Sequence, residues 1–179
     1  MTTVVRAENS ERDAFLAFLA AQRAALRRAV HGLTDEQASA APTASTLCLA
    51  GLVKHAVFCE RTWIVGILMG RPVDRAGSPE QWAEQFRLLP GETLEQWLKA
   101  YADVEAETEE IINGLPDLEV DAALPKAPWF PENSRRTARW ILLHLIAEVG
   151  RHCGHADIIR ETLDGRTAFE PVAAVGAEA

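Results

Sequence analysis

The chain has 179 residues, 48% of them hydrophobic and 25% charged, a balance that fits one globular domain with a sizeable core and excludes a disordered chain. Its formal net charge of -8, from 26 acidic against 18 basic side chains, argues against a phosphate-tracking nucleic-acid surface, which needs clustered Lys and Arg. No run of some 18 apolar residues occurs and no apolar h-region opens the chain, so neither membrane insertion nor export is expected, and the cytoplasm is the expected compartment.

In chain order, Asn9 or Ser10 is a candidate cap for a first helix, with Glu11 and Asp13 in its first turn. Phe15, Leu19, Leu26 and Val30 recur at helical spacing and carry it to about Gly32. Thr34 and Gln37 form a capping-box pattern for one further turn before Pro42. A second long helix is predicted from Thr43 or Ser45 to about Met69, broken at Gly70 and Pro72. Ser78 and Pro79 open a short helix around Trp82, and a third long helix runs from about Thr93 to Gly114. Residues 115–134, rich in proline, read as a long loop in which Trp129 and Phe130 are placed to wall a pocket. The fourth helix runs from about Arg136 to Leu163 and stops at Gly165. Nothing alternates with period two over a useful length. The expected fold is therefore all-α, a four-helix bundle, with residues 1–167 as one domain and 168–179 as a tail.

The fourth helix carries the chemistry. At 100° per residue Glu148 lies about 40° from His152, and His155 about 60° from it on the same side. Leu145, Val149, Ala156 and Ile159 surround that direction, so the polar trio points into the face the bundle should bury. Buried polar groups need partners, and one divalent ion would satisfy all of them. A ligand from another helix is wanted, and His55, beside Leu52, Ala56 and Cys59 on the border of the second helix's apolar stripe, is the candidate. His31 and His144 fall outside this set. The competing readings are a Glu148 ion pair with Arg151 or Arg136, and a His55–Cys59 zinc pair. The three cysteines, with no CxxC, read as reduced thiols. Glu60 projects into the apolar sector, where it would form a buried ion pair with an arginine or handle a proton. Two His and one Glu leave zinc as the leading candidate, with nickel, iron and manganese open. Serine-nucleophile, phosphate-loop, dinucleotide and HExxH motifs are absent.

Leu52 to Arg61 in the second helix and Trp140 to Asp157 in the fourth resemble the DinB-like superfamily, which includes mycothiol- and bacillithiol-dependent enzymes. The resemblance covers about residues 9–165. It implies a four-helix bundle, often a homodimer, with a metal held by one ligand from the second helix and two, four residues apart, from the fourth. By position these are His55, Glu148 and His152. Many members carry His-x3-His where this chain has Glu148 and His152, and the maleylpyruvate isomerases of the group similarly use Glu-x3-His. His155 is then an extra ligand or a partner of one. The resemblance further implies a thiol S-transferase acting on small electrophiles, and the Arg-rich composition, typical of a GC-rich host, favours mycothiol as the thiol. His155 and Glu60 are the candidate proton handlers. The alternatives are a metal-stabilised bundle without turnover and a hydrolase using metal-activated water.

Overall fold

A computed structural model of the chain describes residues 5–74, 76–126 and 130–167. The capping residues read from the sequence start most of its helices. Ser10 accepts from the Asp13 N–H and opens α1, Glu11–Val30. The complete Thr34/Gln37 capping box opens α2, Asp35–Ser39, and a second such box, Thr93 with Gln96, opens α5, Leu94–Gly114. Between them, Ser78 caps α4, Pro79–Glu84, with proline in the first turn. Thr137 caps α6, Ala138–Asp164, which ends on Gly165 at φ 77°, a left-handed conformation that suits glycine.

Two boundaries differ from expectation. The second long helix, α3, spans Leu49–Arg61 and begins after Thr43 and Ser45. Their hydroxyls instead accept from the N–H groups of Ser45 and Leu47, local turns that compete with helix. Beyond Arg61 the helix widens into a π-helical segment, Thr62–Leu68, closed by Met69 N–H donating to Ile64 O at 3.1 Å. The expected 115–134 loop also contains structure. Strand β1, Asp121–Ala123, pairs antiparallel with β2, Arg135–Thr137, in the register Asp121 to Thr137. Three residues are too few to register as alternation, and the hairpin delays α6 to Ala138.

Helix α1 packs along α6 and α3 along α5, while α3 also meets α6. Among the described residues the regular structure is helical apart from the small hairpin. Every residue from Cys48 to Val57 is buried, so roughly the first two and a half turns of α3 have no solvent face. A helix covered all round is a core helix. That is why His55 and Lys54 lie inside rather than on the border of a stripe. Behind them, Glu60 is fully buried and meets Arg23, also fully buried, through Nε at 3.1 Å, with Thr108 Oγ1 donating at 2.6 Å. This is the buried arginine pair expected for Glu60. Among the described residues no helix is long and apolar enough to cross a membrane.

Candidate metal centre

Helical rise alone brings Glu148 and His152 together on α6, and the α3–α6 contact adds His55. His152 Nε2 lies 3.3 Å from Glu148 Oε1, and His55 Nε2 lies 3.7 Å from the same oxygen. The His55 and His152 rings are 4.9 Å apart at 73°. One ligand atom from each residue falls within 4.8 Å of the other two. Nitrogen and oxygen donors about 2.0–2.2 Å from a shared tetrahedral ion sit roughly 3.3–3.6 Å from each other; the 3.3 Å separation falls in that range and the 3.7 Å one is within about 0.1 Å of it.

The polar state of the trio fits as well. His55 is 7% exposed, and among the described residues neither of its ring nitrogens has a hydrogen-bond partner. An orphaned buried imidazole is costly, and a cation is what its lone pair can accept. The His55 imidazole is the largest influence lowering the Glu148 carboxyl, opposed by burial and assisted by His152 and Arg151, to a pKa of about 2. Burial pushes His152 below its ordinary 6.5, with His55 adding to the shift and Glu148 opposing it. At neutral pH the site therefore offers one carboxylate and a neutral His152 imidazole, the form in which histidine ligates.

The other candidates fall around this trio. His155 Nδ1 is 3.4 Å from His152 Nδ1, the ring nitrogen not engaged with Glu148. His144 stacks on Trp140 at 5.2 Å and 7° and packs against Trp63. His31 is exposed, and its backbone carbonyl accepts from Arg160. Arg151 reaches Glu148 Oε2 at 3.4 Å from solvent, whereas Arg136 lies over the Trp140 ring instead. Burial, with the Glu148 and Glu60 carboxylates adding, pushes the Cys59 thiol up to about 12, which disfavours a free thiolate there. The Glu60 carboxylate accepts from Arg23 and Thr108, on the side of α3 away from the trio's bonds. Phe130 packs edge-on to Trp63 at 6.5 Å, while Trp129 lies outside the described residues.

Sequence reasoning missed Phe86. Its ring stacks on His55 with centroids 4.1 Å apart and planes 21° from parallel. The signal was Gly51, a glycine inside an apolar helix, which marks close approach by another backbone. A neighbouring cavity of about 480 Å³, lined by Lys54, Phe58, Gln85 and Trp97 among others, does not include the trio.

The arrangement makes the three remaining histidines distinguishable. His155→Ala should weaken metal affinity about tenfold by freeing the His152 ring, a typical effect of removing a ligand's outer partner. His31→Ala and His144→Ala should leave affinity unchanged. Competition against a chelating dye measures all three, and an unchanged affinity for His155→Ala would remove it from the site.

The chain matches the mycothiol-S-transferase family over residues 14–165. No curated protein matches it. Among solved structures it is similar to a conserved protein of Enterococcus faecalis, at a TM-score of 0.68 and 15% identity, over 88% of this chain and 99% of that one. That likeness is one of fold. With 152 consecutive residues in the match, spanning both helices that bear the trio, the chain belongs to the mycothiol-S-transferase family, a DinB-like family.

Proposed function

We propose that this protein is a divalent-metal-dependent mycothiol S-transferase acting on small electrophiles, with His55, Glu148 and His152 as its metal ligands. The observation that carries the reading is the orphaned His55 imidazole, buried and aimed at Glu148 and His152. A bound divalent ion lowers the pKa of a coordinated thiol and so supplies a nucleophile at neutral pH. Two imidazoles and one carboxylate leave a divalent charge only half neutralised, so the donor set favours an anionic fourth partner such as sulfur. His152 is held to its ligating tautomer by His155 on the opposite ring nitrogen. Arg151 steadies the free carboxylate oxygen of Glu148. Zinc suits this donor set best, with nickel, iron and manganese as the other candidates. In the same reading α1, α3 with its π-helical extension, α5 and α6 are the four helices of the family's bundle, and the protein works in the cytoplasm as a homodimer.

The test is mycothiol addition to a bimane electrophile. Metal-replete protein should accelerate it, and the acceleration should persist well below the ordinary thiol pKa of ~8.5. Metal-stripped protein should be inert. No acceleration with any low-molecular-weight thiol across a panel of electrophiles would overturn the transferase reading, and consumption of electrophile in thiol-free buffer would point to hydrolysis instead.

A further inference from the structure

We infer that residues 86–92, between α4 and α5, form a latch that presses the Phe86 ring onto His55 and makes Phe86 a positioning residue for the metal centre; the inference rests on the ligand reading above. A ligating histidine normally gives its second ring N–H to a carboxylate, carbonyl or water, which fixes the ring. His152 has His155 in that place. Among the described residues His55 has no hydrogen-bond partner at either nitrogen, Glu148 Oε1 standing 3.7 Å from its Nε2. What holds its ring is the near-parallel Phe86 face at 4.1 Å, which also reaches within 6.1 Å of the His152 ring.

A stack supplied by a connector positions a ligand only if the connector is itself fixed, and here one side of α3 fixes it. Cys48 Sγ donates to Phe86 O at 3.6 Å. One turn on, Gly51 lets that same carbonyl lie against the helix: a Cβ at Gly51 would stand 1.9 Å from Phe86 O and 2.3 Å from its carbonyl carbon. Both obstacles are backbone, so they cannot swing aside. Another turn on, the buried Lys54 ammonium donates to Arg87 O at 3.1 Å and to Glu92 Oε2 at 2.7 Å. Glu92 in turn accepts from the Leu89 N–H at 2.8 Å. A lysine 3% exposed is costly unless paired, so the Lys54–Glu92 pair resists opening. Cys48, Gly51 and Lys54 are three residues apart in succession, and His55 follows directly. The latch and the ligand thus share one stretch of helix, and the stack confines the His55 ring where hydrogen bonding does not.

The experiment compares wild type, Phe86→Ala, Phe86→Tyr and Gly51→Ala for zinc affinity by dye competition and for the visible spectrum of the cobalt(II) form. Phe86→Ala should weaken zinc about tenfold, the scale of losing a ligand's orienting partner, and should shift the cobalt bands. Phe86→Tyr, which keeps the stacking face, should restore both. Gly51→Ala should reproduce Phe86→Ala by driving the Phe86 carbonyl off the helix. A Phe86→Ala protein with wild-type zinc affinity and an unaltered cobalt spectrum would overturn the latch and leave the ligand reading standing, provided His152→Ala loses metal in the same assay. Wild-type protein that binds neither ion would overturn both.

Discussion

Protein carrying His152→Ala is expected to retain no stoichiometric metal after purification, while the wild type retains one ion per chain. His152 is the link in the trio, since its Nε2 is 3.3 Å from Glu148 and its ring is 4.9 Å from that of His55. Loss of an outer partner costs metal affinity 10–100-fold, so loss of a ligand should exceed about a hundredfold. Glu148→Gln should weaken binding more mildly, because an amide oxygen keeps the position but gives up the charge. The Glu148 carboxyl is already held down to about 2 by His55, His152 and Arg151, so the wild-type site keeps its anionic donor through the whole range in which histidine can ligate. The measurement is elemental analysis of untagged protein purified without added metal. Full metal content in His152→Ala would mean that the ion sits elsewhere.

The features legible in the sequence were those that depend on neighbours along the chain. Ser10, Thr34, Ser78 and Thr93 each cap a helix through the residue three positions on, so local pattern sufficed. Glu148 and His152 are one turn apart, and helical geometry alone faces them the same way. Thr43 and Ser45 misled because the same hydroxyls that cap helices also close turns, and here the turns prevail. The hairpin between Asp121 and Thr137 is set by long-range register over three residues, below the length at which alternation is visible.

Through-space features were harder. An arginine partner for Glu60 was expected on physical grounds, but which arginine depends on how α1 packs, 37 residues away. The apolar residues along α3 place His55 on the border of a stripe, whereas the packing around α3 covers every side of it. Phe86 was invisible because its position follows from the path of a connector. Only Gly51 recorded that path in the sequence, as a missing side chain where the connector's backbone arrives.

Removing Arg23 is expected to be the most damaging single change away from the metal centre. Arg23 and Glu60 are both fully buried, joined through Nε at 3.1 Å, and Thr108 completes the coordination of the carboxylate at 2.6 Å. Arg23 also reaches Glu105 at 3.4 Å, so Glu60 depends on Arg23 more than Arg23 depends on Glu60. Arg23→Leu would leave a buried carboxylate with one hydroxyl for company, at a cost of about 3–5 kcal/mol. At roughly 2–4 °C per kcal/mol for a domain of this size, the melting temperature should fall by about 6–20 °C. The double variant Arg23→Leu with Glu60→Met removes both charges and should recover much of that loss, since replacing a whole buried pair with apolar groups is often close to neutral. The same pair of proteins decides whether Glu60 handles a proton. If it is structural only, the stabilised double variant keeps its metal and its thiol-transfer rate. A double variant with a recovered melting temperature and full metal, yet no transfer, would return Glu60 to the chemistry.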